Sequence, residues 1–137
     1  MRGLAVAWVL IVSLVAPAFG AETREDAAQA VVESWLKVVD QGPCAASWEA
    51  AADALKTAIS KDEWTKGCEG ARQVLGKLVS RKLKSRQYAE QLPGLPDGKY
   101  VVIQYDSVYE QKASALETVT TMVDFDGTWR VSGYFAH

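Results

Sequence analysis

Histidine is almost missing from this 137-residue sequence: the single one is His137, the last residue. An imidazole at a free chain end makes a poor general base, so a nucleophilic triad has no support, and neither does a histidine-based zinc site. Cysteine is nearly as scarce, with Cys44 and Cys68 alone, and no cluster of Cys or Asp has metal-ligand spacing. No glycine-rich phosphate loop follows a predicted strand. Nothing in the sequence therefore calls for a metal or a cofactor. Long apolar runs are missing too: the longest, "LAVAWVLIVSLVA", is too short to span a bilayer comfortably.

That run sits at the N-terminus behind the single charge of Arg2, and reads as an export signal. Ala18-Phe19-Gly20 places small residues at the third and first positions before a cut ahead of Ala21. Ala16-Pro17-Ala18 offers a second cut two residues earlier. No cysteine follows either cut, so the lipid attachment of a bacterial lipoprotein is not available, and the expected location is periplasmic or secreted. Taking Arg2 from the 15 basic residues leaves 14 against 17 acidic, a net charge of −3 for residues 21–137. A chain of this size forms one domain with a real core, burying roughly 60–70% of its unfolded surface.

Residues 24–40, "REDAAQAVVESWLKVVD", carry apolar groups at helical spacing, with acids in the first turn where the dipole favours them. Gly42-Pro43 ends that helix. "AASWEAAADALKTAIS" predicts a second helix, with Trp48, Ala51, Ala52, Leu55 and Ile59 on one face. Ser60 and Glu63 form a capping-box pattern that opens a third, with Trp64, Cys68, Ala71 and Leu75 inward and Val79 at its far end. The tryptophans Trp35, Trp48, Trp64 and Trp129 read as core. From about residue 78 the period turns from helical to alternating, and strands are predicted over 78–90, 98–110, 114–124 and 128–136. Three helices packed on one face of a curved four-stranded antiparallel meander make an α+β fold.

Register can be argued for the last hairpin. A three-residue loop with Gly127 left-handed pairs Asp124 with Thr128, and places Val119, Thr121 and Val123 on one face with Trp129, Val131 and Phe135. Thr118, Thr120, Met122, Arg130, Ser132 and Tyr134 take the other. Glu117 then falls on the inward face, near Phe135. Parity in the second strand turns Val101, Ile103, Tyr105 and Tyr109 inward. In the first it turns Val79, Arg81 and Leu83 inward, and leaves Lys82, Lys84 and Arg86 as a solvated face. A nucleic-acid role for this cationic run is not supported, since the chain is net acidic and shows no aromatic stacking ladder among the cations.

A charge buried alone is costly, so inward Arg81 and Glu117 are expected to pair, with Tyr105 on the strand between them. Such a group is either a structural ion pair or a polar spot in an apolar pocket, the usual form of a small-ligand site. Cys44 and Cys68 in an exported chain suggest one disulfide, with two separate thiols as the alternative. If the second and third helices are antiparallel about Ser60, the two cysteines are mismatched by about 12 Å along the axis. A bond then requires the second helix to start late, with Cys44 folded back in the loop after Pro43.

"WLKVVDQG", "SW", "SRKL", "LPGLPDGKYVVIQY", "ETVT" and "DGTWRVSGY", in this order, resemble the bacterial domain-of-unknown-function family 4019, from about Ala27 to Tyr134. That family is similar in architecture to the nuclear-transport-factor-2-like group, cones in which helices close one side of a curved sheet. The resemblance implies this fold and an exported bacterial location, and it supplies no catalytic residues. Cys44 departs from the family pattern, which usually has an aromatic there, and Cys68 is not required by it.

The expected function is a non-enzymatic module binding a small ligand or an envelope protein. The alternative is a cone-fold enzyme with Glu117 as general base and Tyr105 as hydrogen-bond donor. A third reading docks an envelope protein on Lys82, Lys84 and Arg86. The leader is testable directly: mass spectrometry of periplasmic protein should give a mature N-terminus at Ala21, or at Phe19 if the earlier cut is used. Recovery of the full-length chain in the membrane alone would overturn the export reading.

Overall fold

The computed structural model describes residues 20–137, so the expected leader lies outside the described residues but for Gly20. Four helices precede four strands: α1 (Arg24–Gln41), α2 (Cys44–Glu49), α3 (Asp53–Ala58), α4 (Lys61–Leu75), β1 (Leu78–Ala89), β2 (Tyr100–Tyr109), β3 (Lys112–Val123) and β4 (Trp129–Ala136). The strands form an antiparallel sheet in chain order, curved and unclosed. This is the expected α+β meander. No helix among the described residues is long and apolar enough to cross a membrane.

Thr23 and Asp26 start α1 with a reciprocal capping box, which satisfies two otherwise orphaned donors. Its apolar stripe (Ala28, Val32, Trp35, Leu36 and Val39) is buried against Val101, Ile103, Tyr105, Val119 and Val131 of the sheet. Each large side chain fully buried here contributes about 1.5–3 kcal/mol. The indoles keep their N–H groups satisfied. Trp35 donates to the Ser47 carbonyl at 2.8 Å, Trp64 to Ser47 Oγ at 2.9 Å, and Trp48 to the Ile59 carbonyl at 2.9 Å. Ser47, fully buried, thus organises two of the indoles.

The predicted second helix is in fact two. It breaks at Ala51-Ala52, where the Ala52 N–H leaves the helix and donates to the Val131 carbonyl on the edge of β4 at 2.8 Å. A stronger demand from the sheet edge overrides the alanine-rich propensity. The break also answers the length mismatch between the cysteines. Cys44 is not folded back in a loop but opens α2, and its sulfur lies 2.11 Å from that of Cys68, with the Cα atoms 6.0 Å apart.

In the last hairpin Gly127 takes φ 78°, and the Asp124 N–H donates to the Thr128 carbonyl at 2.9 Å, as the three-residue loop requires. Val123 pairs with Trp129 and Thr121 with Val131. Beyond that point a bulge at Ser132 shifts the register, so Thr120 pairs with Gly133 and Val119 with Tyr134. The expected faces are therefore exchanged at the end of β4: Tyr134 turns inward, and Phe135 is 62% exposed. Two more bulges interrupt β1, at Val79 and at Lys84. Val79 is consequently exposed rather than inward, Leu78 faces the core side in its place, and Leu83 is part-exposed at the sheet edge. The bulge at Lys84 brings Arg86 to the helix side, where it bonds Asp26 at 2.7 Å and Gln29 at 3.1 Å. Arg86 is thus not part of a solvated outer row.

Helix α4 stands apart. Ser60 caps it through the Glu63 N–H at 3.2 Å, yet none of its residues is fully buried, and Ala71, expected inward, is exposed. The Cys44–Cys68 contact and the Trp64–Ser47 hydrogen bond are its main ties to α2. Thiol titration of the unfolded, unreduced protein should find no free thiol. Closing this loop contributes about 3 kcal/mol. Reduction, or Cys68→Ser, should raise hydrogen exchange across residues 61–75 well before the sheet responds. Equal loss of protection in α4 and the sheet would show that α4 is held by something else.

Candidate functional site

Arg81 of β1 points under the helices, with 12% of its side chain exposed, and lies between two carboxylates. Its Nε donates to Glu117 Oε1 at 2.7 Å and one Nη to Oε2 at 3.1 Å. The other edge of the guanidinium takes Asp40, near the end of α1, with contacts of 2.7 and 3.0 Å. A further contact of 3.3 Å reaches the Tyr109 hydroxyl. Glu117 on β3 is fully buried, and it also accepts from Ser107 and from Tyr134. Each Glu117 oxygen thus receives two hydrogen bonds.

The electrostatics follow from these contacts. Burial alone would push the Glu117 carboxyl up, but hydrogen bonds from Arg81, Ser107 and Tyr134 outweigh it and hold the group below the ordinary carboxylate range. Burial likewise opposes the Arg81 charge, and Asp40 and Glu117 more than offset this, so the guanidinium is held firmly protonated. Burial and the neighbouring Glu117 charge push the Tyr134 and Tyr109 hydroxyls upward, keeping both neutral, with Tyr134 donating to Glu117 and Tyr109 accepting from Arg81.

Tyr105 does not join this group. It is buried on the expected face, but its hydroxyl is the one buried side-chain polar atom without a hydrogen bond among the described residues. Burial first, then the Glu33 charge, raises its pKa. The site has members that sequence reasoning did not assign to it. Asp40 was only the last residue of the predicted first helix. Ser107 lies on the inward parity of β2 but is small and polar. Tyr134 was displaced to the other face by the unread bulge at Ser132.

Above this cluster lies a partly open cavity of about 270 Å³, between α4 and the ends of the strands. Its walls are mainly apolar: Ile59, Trp64, Ala71, Leu75 and Leu78 among others, with Tyr109 and Tyr134 also lining it. Asp40, Glu63 and Arg72 bring charge to its boundary. Among the described residues no group of three or more His, Cys, Asp or Glu side chains could hold a metal ion.

The two halves of the ion cluster should respond unequally to substitution. Glu117→Gln leaves Arg81 paired with Asp40, and should cost about 1–3 kcal/mol in denaturant titration. Arg81→Met strands Glu117 in the interior, and should cost about 3–5 kcal/mol. Glu117 has a depressed folded pKa, so its contribution is present above the unfolded value near 4.5 and is lost as pH falls through the lower folded value. In Arg81→Met burial dominates, and acidification should instead favour the folded state. Identical pH slopes for both proteins would contradict this account.

No curated protein matches the chain. The model of the family described as a protein of unknown function, DUF4019, matches residues 31–134, which take in α1 from Val31 and all the strands but the end of β4. The chain belongs to this family.

Proposed function

We propose that residues 21–137 form a single, exported, non-enzymatic module that binds a small, largely apolar ligand in the cavity beneath α4. The observation that carries this reading is the stance of α4. An amphipathic helix normally buries its apolar stripe, but α4 has no fully buried residue and spans an apolar cavity of about 270 Å³ instead. Two tyrosines held by the buried ion cluster line that cavity and offer hydroxyl contacts at its base. An apolar recess with a few placed polar groups is the common form of a ligand site. The cysteine pair at bonding distance is compatible with an oxidising compartment, which supports a periplasmic or secreted location.

The enzyme reading draws less support. A general base needs a free lone pair within reach of substrate, whereas both Glu117 oxygens are fully engaged. Tyr105 stands opposite Glu117 in the β2–β3 pair, but its hydroxyl makes no hydrogen bond to it. A docking surface on Lys82, Lys84 and Arg86 is weakened because Arg86 is spent on α1 and Lys84 stands 4.0 Å from Asp106. The same pairing speaks against a nucleic-acid partner.

Trp64 lines the cavity and supplies a direct readout. Titration with octanol, a neutral apolar probe, should change the protein's tryptophan fluorescence saturably, and Trp64→Phe should remove most of that change. At Gly67, also in the lining, an added Cβ would meet nothing within 4 Å. Gly67→Leu should therefore fill the space without disturbing the fold, and weaken octanol binding by roughly tenfold or more, which is about 1.4 kcal/mol. Unsaturable binding, or binding indifferent to Gly67→Leu, would overturn the proposal.

A further inference from the structure

Five arginines lie among the described residues, and four have partners. Arg24 covers the Tyr88 ring at 3.4 Å, while Arg81, Arg86 and Arg130 are paired with carboxylates. Arg72, on α4, has no hydrogen-bonded or ion-paired acceptor among the described residues, although it is half-buried. A guanidinium carries five N–H donors in a rigid fork, and those of Arg72 are spent on no acceptor of the described residues, which leaves the fork open to a ligand.

Its position is built. The guanidinium rests on Gly42, just past the end of α1, where a Cβ would come within 2.6 Å of its Nη. Gly42 also takes φ 75°, so a side chain is unwelcome there on two counts. The last turn of α1 has no basic residue of its own, and a cation beside that helix end is favourable. This explains where the group sits, but gives its donors no acceptor. Arg72 lines the apolar cavity and also the two surface clefts that meet it at Asp40, with the exposed Lys77 lining both clefts.

We propose that Arg72 makes this cavity selective for an apolar monocarboxylate, with the tail beneath α4 and the carboxylate on the guanidinium fork. The inference rests on the binding reading above and names its ligand class. An arginine fork matches a carboxylate with two parallel hydrogen bonds. The neighbourhood fixes the charge. Asp40 and Glu117 exceed Arg81 by one negative charge, so with Arg72 and Lys77 the neighbourhood has one positive charge to offer, which a single carboxylate balances and a doubly charged phosphate exceeds. Glu63 on the cavity wall argues for a cation less strongly, because it is exposed and solvated. The volume equals about nine waters of liquid, which suits a medium-chain or single-ring acid rather than a long lipid.

Octanoate, octanol and octylamine, titrated against tryptophan fluorescence at pH 7, separate the claims. Octanoate should bind roughly tenfold or more tightly than octanol. Arg72→Gln should remove that preference, lowering octanoate affinity roughly tenfold or more and octanol affinity far less. Arg72→Lys should restore part of it, as a point charge without the fork. If octanol binds but octanoate is no tighter, the carboxylate inference is wrong and the apolar site survives. Equal weakening of both ligands by Arg72→Gln would make Arg72 a structural brace, and tighter binding of octylamine would assign the polar end to Asp40 and Glu63. If none of the three binds, the binding reading itself fails, and this inference with it.

Discussion

A guanidinium under a layer of helices is tolerable only if acceptors surround it, and this requirement shapes the centre of the fold. Arg81 comes from the edge strand, Glu117 from β3 two strands away, and Asp40 from near the end of α1. One side chain therefore ties the sheet to the helix that covers it. Charged groups taken out of water are expensive, and an apolar set of similar volume is often as stable or more so. The cluster is thus a weak explanation of stability by itself. What it does control is orientation, because it tethers Tyr109 and Tyr134 through the same carboxylate and guanidinium.

The oriented tyrosines line a cavity rather than a packed interior because α4 does not descend onto them. Its contacts run to α2, through the sulfur pair and through Trp64 to Ser47. A helix held on one flank leaves room on the other. Had its inward positions been large, the space would have closed. Gly67 and Ala71 keep it open. The reading of this space as a ligand site accounts for the helix, the tyrosines and the cluster together.

The alternation of apolar and polar residues was enough to place every strand to within two residues, and to turn Glu117 and Arg81 inward. It failed at three bulges. Each inserts one residue and reverses the parity beyond it. Ser132 exchanged Tyr134 for Phe135, Val79 exchanged itself for Leu78, and Lys84 brought Arg86 to the helix side. Val79 and Lys84 have no glycine or proline beside them to announce a bulge, whereas Gly133, next to Ser132 inside β4, was a signal left unused. Glu117 kept its face because β3 is regular from Ala115 to Met122. The second helix was misread for a different reason. Alanine favours helix everywhere, so nothing local revealed that Ala52 would donate to the edge of β4 instead. Asp40 was invisible since an acid at a helix end is ordinarily solvated; only the Arg81 side chain, arriving from 41 residues away, draws it in.

Tyr105 shows how the same strand can hold two environments. Tyr109 lies four residues further along the same face and is bonded to Arg81, while the Tyr105 hydroxyl is buried without a partner. An unmade hydrogen bond in the interior costs about 1–3 kcal/mol. The ring of Tyr105 packs with Leu36 and Ile103 in the apolar core, which offsets the loss. The difference between the two tyrosines is where the guanidinium reaches. Arg81 is oriented by Asp40 and Glu117, and its remaining contact goes to the Tyr109 hydroxyl rather than to Tyr105. The buried contacts of Arg81 and Glu117 therefore serve the two tyrosines that line the cavity beneath α4, while Tyr105 is left to packing. A ligand seeking polar contact in that cavity meets those two hydroxyls.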